Sequence, residues 1–99
     1  MAANPFDLSG KVAFITGGNG GLGLGMGIGL AEAGASIVVA SRDEEKTNNA
    51  VAQLEATGAK AMGVSCDVVD AESIASAVAQ AVEAFGGIDI LINNSGTSF

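Results

Sequence analysis

The chain has 99 residues, 48% of them apolar, which is enough for one small domain with a core and argues against disorder. The net charge is −7, and only Lys11, Arg42, Lys46 and Lys60 are positive, so neither a nucleic-acid surface nor an anionic membrane surface is expected. No histidine is present and Cys66 is the lone cysteine, which leaves no Ser-His-Asp or Cys-His nucleophilic site, no ordinary zinc site and no internal disulfide within the chain.

No apolar run approaches the ~20 residues that span a bilayer. The opening MAANPFDLSGK has neither the basic nor the apolar region of a secretory signal. With the single thiol, this points to the cytoplasm.

The predicted elements alternate. Residues 1–10 read as an irregular lead-in broken by Pro5 and Gly10. Val12 to Thr16 is a first strand, apolar as a doubly buried parallel strand should be. A helix runs from Gly21 to about Ala33, with Leu22, Met26, Leu30 and Ala33 on one face, and stops at Gly34. It also contains Gly25, Gly27 and Gly29, each costing ~1 kcal/mol against alanine. They signal either a weak helix or close approach of its backbone to a neighbour.

Ser36 to Ala40 is the second strand and Glu44 to Thr57 the second helix, with Val51 and Leu54 as its spine and Gly58 as its stop. Lys60 to Cys66 is a weaker third strand. Asp70 caps a third helix whose stripe is Ile74, Val78, Ala81 and Phe85, ended by Gly86-Gly87. Ile88 to Ile92 is a fourth strand, apolar except for Asp89, followed by the turn Asn93-Asn94-Ser95-Gly96. Strand–helix alternation predicts an α/β fold with a parallel sheet, and right-handed crossovers favour the order 3-2-1-4.

The most informative segment is Thr16 to Gly23, TGGNGGLG, between the first strand and the first helix. Gly18, Gly20 and Gly23 satisfy G-x-G-x-x-G, while Thr16, Gly17, Gly21 and Gly23 satisfy the sharper T-G-x-x-x-G-x-G. Glycine permits close backbone approach to a phosphate, and a helix start offers unpaired N–H groups and a positive dipole end. The alternative is a glycine-rich turn without a ligand. A second cluster lies at the end of strand 2, where dinucleotide enzymes place an acid for the ribose 2′-OH or a basic residue for a 2′-phosphate. Here the strand ends Ser41-Arg42-Asp43, which favours NADP, with NAD possible because Asp43, Glu44 and Glu45 are close in sequence. Arg42 could instead pair with those carboxylates on the surface.

With TGGNGGLG, Cys66-Asp67-Val68 and Asn93-Asn94-Ser95-Gly96 in this order, the chain resembles the N-terminal part of the short-chain dehydrogenases/reductases. The resemblance implies a Rossmann-type doubly wound sheet cut off after its fourth strand. Residues 1–99 would be a partial NAD(P)-binding domain of a longer single-domain reductase. It implies cofactor contacts from Gly17, Gly18, Asn19, Gly20, Gly21, Leu22 and Gly23. Further contacts would come from Ser41, Arg42, Asp67, Val68, Asn93, Asn94, Ser95 and Gly96. In this family Asp67 would bond the adenine amino group, Val68 would line the adenine pocket, and Leu22 would offer a backbone N–H. Asn93 and Asn94 would tie the fourth strand to its neighbours and to the cofactor's ribose side. Ser95 departs from the family's usual alanine.

The family's proton transfer uses a serine, a tyrosine and a lysine four residues beyond it. This chain has no tyrosine and its last lysine is Lys60, so no residue is nominated as catalytic. The resemblance implies a parent oxidoreductase that moves hydride between a nicotinamide cofactor and a small carbonyl or alcohol substrate, working as a homo-oligomer. The ASRD and CDV stretches look most like those of sugar-acid or polyol dehydrogenases and 3-oxoacyl reductases. The alternatives are a non-catalytic dinucleotide-binding module and a ligand-free structural fragment.

Overall fold

A computed structural model of the chain describes residues 7–17 and 19–94. The elements follow the order β1 (Val12–Thr16), α1 (Gly21–Glu32), β2 (Ser36–Ser41), α2 (Glu44–Glu55), β3 (Ala61–Ser65), α3 (Ala71–Phe85) and β4 (Ile90–Asn93). All strand pairs are parallel and the sheet order is β3-β2-β1-β4, the order expected from the sequence. The register sets Phe14 between Val38 and Leu91, and Thr16 between Ala40 and Asn93.

Alternation along the strands divides the core in two. Val12, Phe14, Val38, Ala40, Val64 and Cys66 face α3, where Ala77 and Ala81 meet them. Ala13, Ile15, Ile37 and Val39 face the other way, against Ala31, Ala50 and Leu54 of α1 and α2. Every residue of β1 is buried, because helices cover both faces of the central strands.

Helix boundaries follow local chemistry. Asp43 caps α2 by accepting the Lys46 N–H at 3.0 Å. Asp70 caps α3 by accepting the Glu72 N–H at 3.0 Å, and Gly86 closes that helix with φ 87°.

Two packing expectations need correction. The buried face of α1 is Gly23, Gly27 and Ala31, not the face shared by Leu22, Met26, Leu30 and Ala33, and Leu22 is 72% exposed. The helix is apolar all round, so its periodicity marks no single stripe, and the sheet takes the face with the smallest side chains. In α3 the stripe is centred on Ala77 and Ala81, with Val78 and Phe85 beside them, and Ile74 is exposed. The fourth strand also begins later, at Ile90, because Ile88 and Asp89 lead into it.

Candidate functional site

The carboxyl ends of β1, β2 and β3 lie side by side, and each feeds one group of the residues singled out by sequence. The turn after β1 is anchored on both flanks. Gly17 N–H donates to the Ala40 carbonyl at 2.9 Å, and Gly17 holds φ 66°, a conformation that favours glycine. On the other side the Thr16 hydroxyl donates to Asn93 Oδ1 at 2.9 Å and accepts the Asn94 N–H at 3.1 Å. Asn94 Nδ2 donates to the Gly17 carbonyl at 3.4 Å. Asn93 and Asn94 thus tie β4 to the glycine turn.

Gly23 is needed for close approach. A Cβ there would strike the Gly17 carbonyl oxygen and lie 2.5 Å from Asn94 Nδ2. The start of α1 differs chemically from the other helix starts. Its N-cap is Gly20, no side chain caps it, and its first turn has no acidic residue. By contrast, α2 and α3 each have an aspartate cap and glutamate in the first turn. Among the described residues, the α1 start therefore keeps unpaired N–H groups and an unneutralised positive dipole end.

Across from this turn, Asn19 Nδ2 donates to Ser41 Oγ at 2.6 Å, bridging the β1 turn and the end of β2. The same oxygen accepts the Asp43 N–H at 3.2 Å. At the end of β3, Asp67 is positioned from both sides: its N–H donates to Ser73 Oγ at 2.8 Å, and its Oδ1 accepts the Val69 N–H at 3.1 Å. These groups surround a cleft of about 460 Å³ lined by Gly17, Asn19, Ser41, Arg42, Asp67 and Val68 among others. Ser41 and Arg42 also line a neighbouring cavity of about 280 Å³ that reaches Thr47 and Gln80. Cys66 lies at the cleft floor. Burial pushes its thiol pKa above the ordinary value; the Ser73 hydroxyl opposes this and the Asp67 charge adds to it.

The structure thus brings Gly17, Asn19, Ser41, Arg42, Asp67 and Val68 to one cleft, with Gly21, Leu22 and Gly23 at the adjoining helix start and Asn93 and Asn94 behind the turn. Gly18, Ser95 and Gly96 lie outside the described residues. Two contributors were missed in the sequence: Ser73, which holds the Asp67 backbone, and Val69, 87% exposed on the cleft wall. The Asp70-x-x-Ser73 spacing of a helix start was the available signal for Ser73. Among the described residues no helix is long and apolar enough to cross a membrane, and no group of three His, Cys, Asp or Glu side chains could hold a metal.

A parallel β3-β2-β1-β4 sheet, with a glycine turn at the carboxyl end of β1 beside the point where strand order reverses, defines a Rossmann-type fold. The family model described as short chain dehydrogenase matches residues 11–99, and the chain belongs to that family. It is 46% identical over 89 residues to 2,5-dichloro-2,5-cyclohexadiene-1,4-diol dehydrogenase LinX of Sphingobium indicum, covering 90% of this chain and 36% of that protein. It is 41% identical to 2-dehydro-3-deoxy-D-gluconate 5-dehydrogenase of Formosa agariphila, covering 97% of this chain and 37% of the other. A crystal structure of NAD+-bound xylitol dehydrogenase superposes with a TM-score of 0.88 at 36% identity, over 91% of this chain and 35% of that one. The chain spans little more than a third of the length of these curated relatives. The family's proteins are oxidoreductases that use nicotinamide dinucleotides.

Proposed function

We propose that the chain is the cofactor-binding part of a short-chain dehydrogenase/reductase that takes NADP(H) and acts on a small secondary alcohol or its ketone. The observation that carries this reading is the uncapped start of α1, set against the glycine turn and opening beside the cleft. The residues present fit a dinucleotide. Val68 and Val69 are apolar side chains left exposed on the cleft wall, and a bound adenosine would cover such surface.

When bound, the nicotinamide cofactor supplies or accepts hydride at the substrate carbon. The work of this chain is to hold it. The N–H groups of Gly21, Leu22 and Gly23 would take the pyrophosphate, and the Asp67 carboxylate the adenine amino group. Val68 would flank the base, and Asn93 and Asn94 would keep the turn fixed next to β4. Gly18, Asn19, Gly20, Ser95 and Gly96 complete the proposed contacts. No proton-transfer group is assigned to residues 1–99, so the isolated polypeptide should bind cofactor without turning over a carbonyl panel.

Ser41 and Arg42 favour NADP over NAD. Arg42 can meet a phosphate with two parallel N–H donors. Asp43, the first of the three acids that follow Arg42, already gives Oδ1 to the Lys46 N–H as the α2 cap. Relatives named as diol and sugar-acid dehydrogenases support a hydroxylated or keto substrate. The test compares NADP and NAD affinities of the intact protein before and after Arg42→Ala. Loss of about tenfold in NADP affinity, with NAD little changed, is expected for a charge-assisted contact. Preference for NAD, unaltered by the substitution, would contradict the assignment.

A further inference from the structure

We infer that Asn19 is a specificity-determining residue that acts through Ser41, by fixing the Ser41 hydroxyl as a hydrogen-bond donor toward the cleft. This deepens the NADP reading above and rests on it. A serine hydroxyl has one proton and two lone pairs. At Ser41 the Asn19 amide donates to Oγ at 2.6 Å and the Asp43 N–H donates to it at 3.2 Å. Both lone pairs are then occupied, and the proton is what remains for a ligand. Ser41 and Asn19 both line the cleft, together with Arg42 and Asp67.

The consequence is a selective polarity. A 2′-phosphate presents acceptors, and a donor-only serine beside the Arg42 guanidinium suits it. A free ribose 2′-OH must also place its own proton. Ser41 offers no acceptor for it, so the ribose hydroxyl gains no second hydrogen bond at this serine. Without the Asn19 amide, a lone pair of Ser41 becomes free. The hydroxyl can then accept from a ribose as readily as donate to a phosphate, and discrimination falls although Ser41 and Arg42 themselves are unchanged. Asn19 is thus a positioning residue for the serine.

The experiment measures 2′,5′-ADP and 5′-AMP binding to the intact protein by calorimetry, in a double-mutant cycle of Asn19→Ala and Ser41→Ala with Arg42 retained. Asn19→Leu, similar in shape but without a donor, is measured alongside to separate loss of the hydrogen bond from loss of packing. The expected result is a fall of about fivefold in the preference for 2′,5′-ADP on changing Asn19 in either way, the worth of one hydrogen bond. The AMP affinity should stay level or rise, and Asn19→Ala should have no further effect in the Ser41→Ala background. An equal loss with or without Ser41 would overturn the inference while leaving the NADP reading intact. So would an unchanged or raised preference, which would mean that Ser41 gives its proton to Asn19. An unsubstituted protein that prefers AMP would overturn both.

Discussion

Val12 and Asp89 are joined by two hydrogen bonds: the Asp89 N–H donates to the Val12 carbonyl at 2.9 Å, and the Val12 N–H donates to Asp89 Oδ2 at 2.9 Å. Pairing of β1 with β4 starts only at Ala13 and Ile90. The carboxylate therefore stands in for a backbone carbonyl just before the ladder begins. This gives the one polar residue in the fourth apolar run its role, which its sequence position alone did not reveal.

Asp89→Ala should leave the buried Val12 N–H unpaired and lower stability by about 1–2 kcal/mol. Asp89→Asn keeps an acceptor oxygen and should recover part of the loss. Chemical denaturation of the three proteins checks this, and equal stability of the alanine variant would show that water replaces the carboxylate without cost.

The glycines of α1 make separable predictions. A Cβ at Gly25 or Gly29 would meet nothing within 4 Å, so alanine at either should stabilise the protein by about 1 kcal/mol through helix propensity. At Gly27 a Cβ would lie 3.3 Å from both Ile15 Cδ1 and Leu54 Cδ2, so the propensity gain should be largely cancelled. Gly23→Ala, pressed against the Gly17 carbonyl, should cost about 2 kcal/mol and abolish cofactor binding. Melting temperatures of the four variants test the ranking.

Much of the architecture could be read from the sequence because each element was locally consistent. Buried strands were continuous apolar runs, helices α2 and α3 opened on aspartate caps, and Gly86 stopped α3. The inward face of α1 was not legible: a helix of GLGLGMGIGLAE has no polar side to subtract. In the site, the motifs marked the turn and Asp67, but the Asn19–Ser41 bridge joins residues 22 apart in sequence and exists only once β1 and β2 pair. The choice between a weak helix and close approach likewise needed the sheet, and it is answered differently at Gly25 and Gly27.

Cys66 should be inert at neutral pH, since it is only 3% exposed and burial raises its pKa above 9.0. The unfolded chain ionises this thiol first as pH rises. Its contribution to stability is therefore full below about pH 9 and is lost as pH climbs through the higher folded value. Alkylation by iodoacetamide at pH 7 should be slow in the folded protein and fast in denaturant. Rapid labelling of the folded form would mean the cleft floor opens.

Leu91 is 68% exposed on β4, which pairs with β1 alone among the described strands. Its neighbours Ile90 and Ile92 turn toward α1 and α2, so Leu91 faces the α3 side without a cover. The 99-residue polypeptide by itself should self-associate through this edge, and Leu91→Lys should reduce the association. Light scattering across a concentration series decides it. A monodisperse monomer that melts cooperatively would contradict the expectation.

The proposed nicotinamide dinucleotide would bind at the carboxyl ends of β1, β2 and β3. The direct measurement is a titration of the 15N-labelled protein with NADP, following backbone amide shifts. Saturable shifts should concentrate at Gly17, Gly21 to Gly23, Ser41, Arg42, Asp67 and Val68. Shifts confined to the opposite end of the sheet, around Gly10, Gly34 and Lys60, or no saturable shifts at all, would contradict the account.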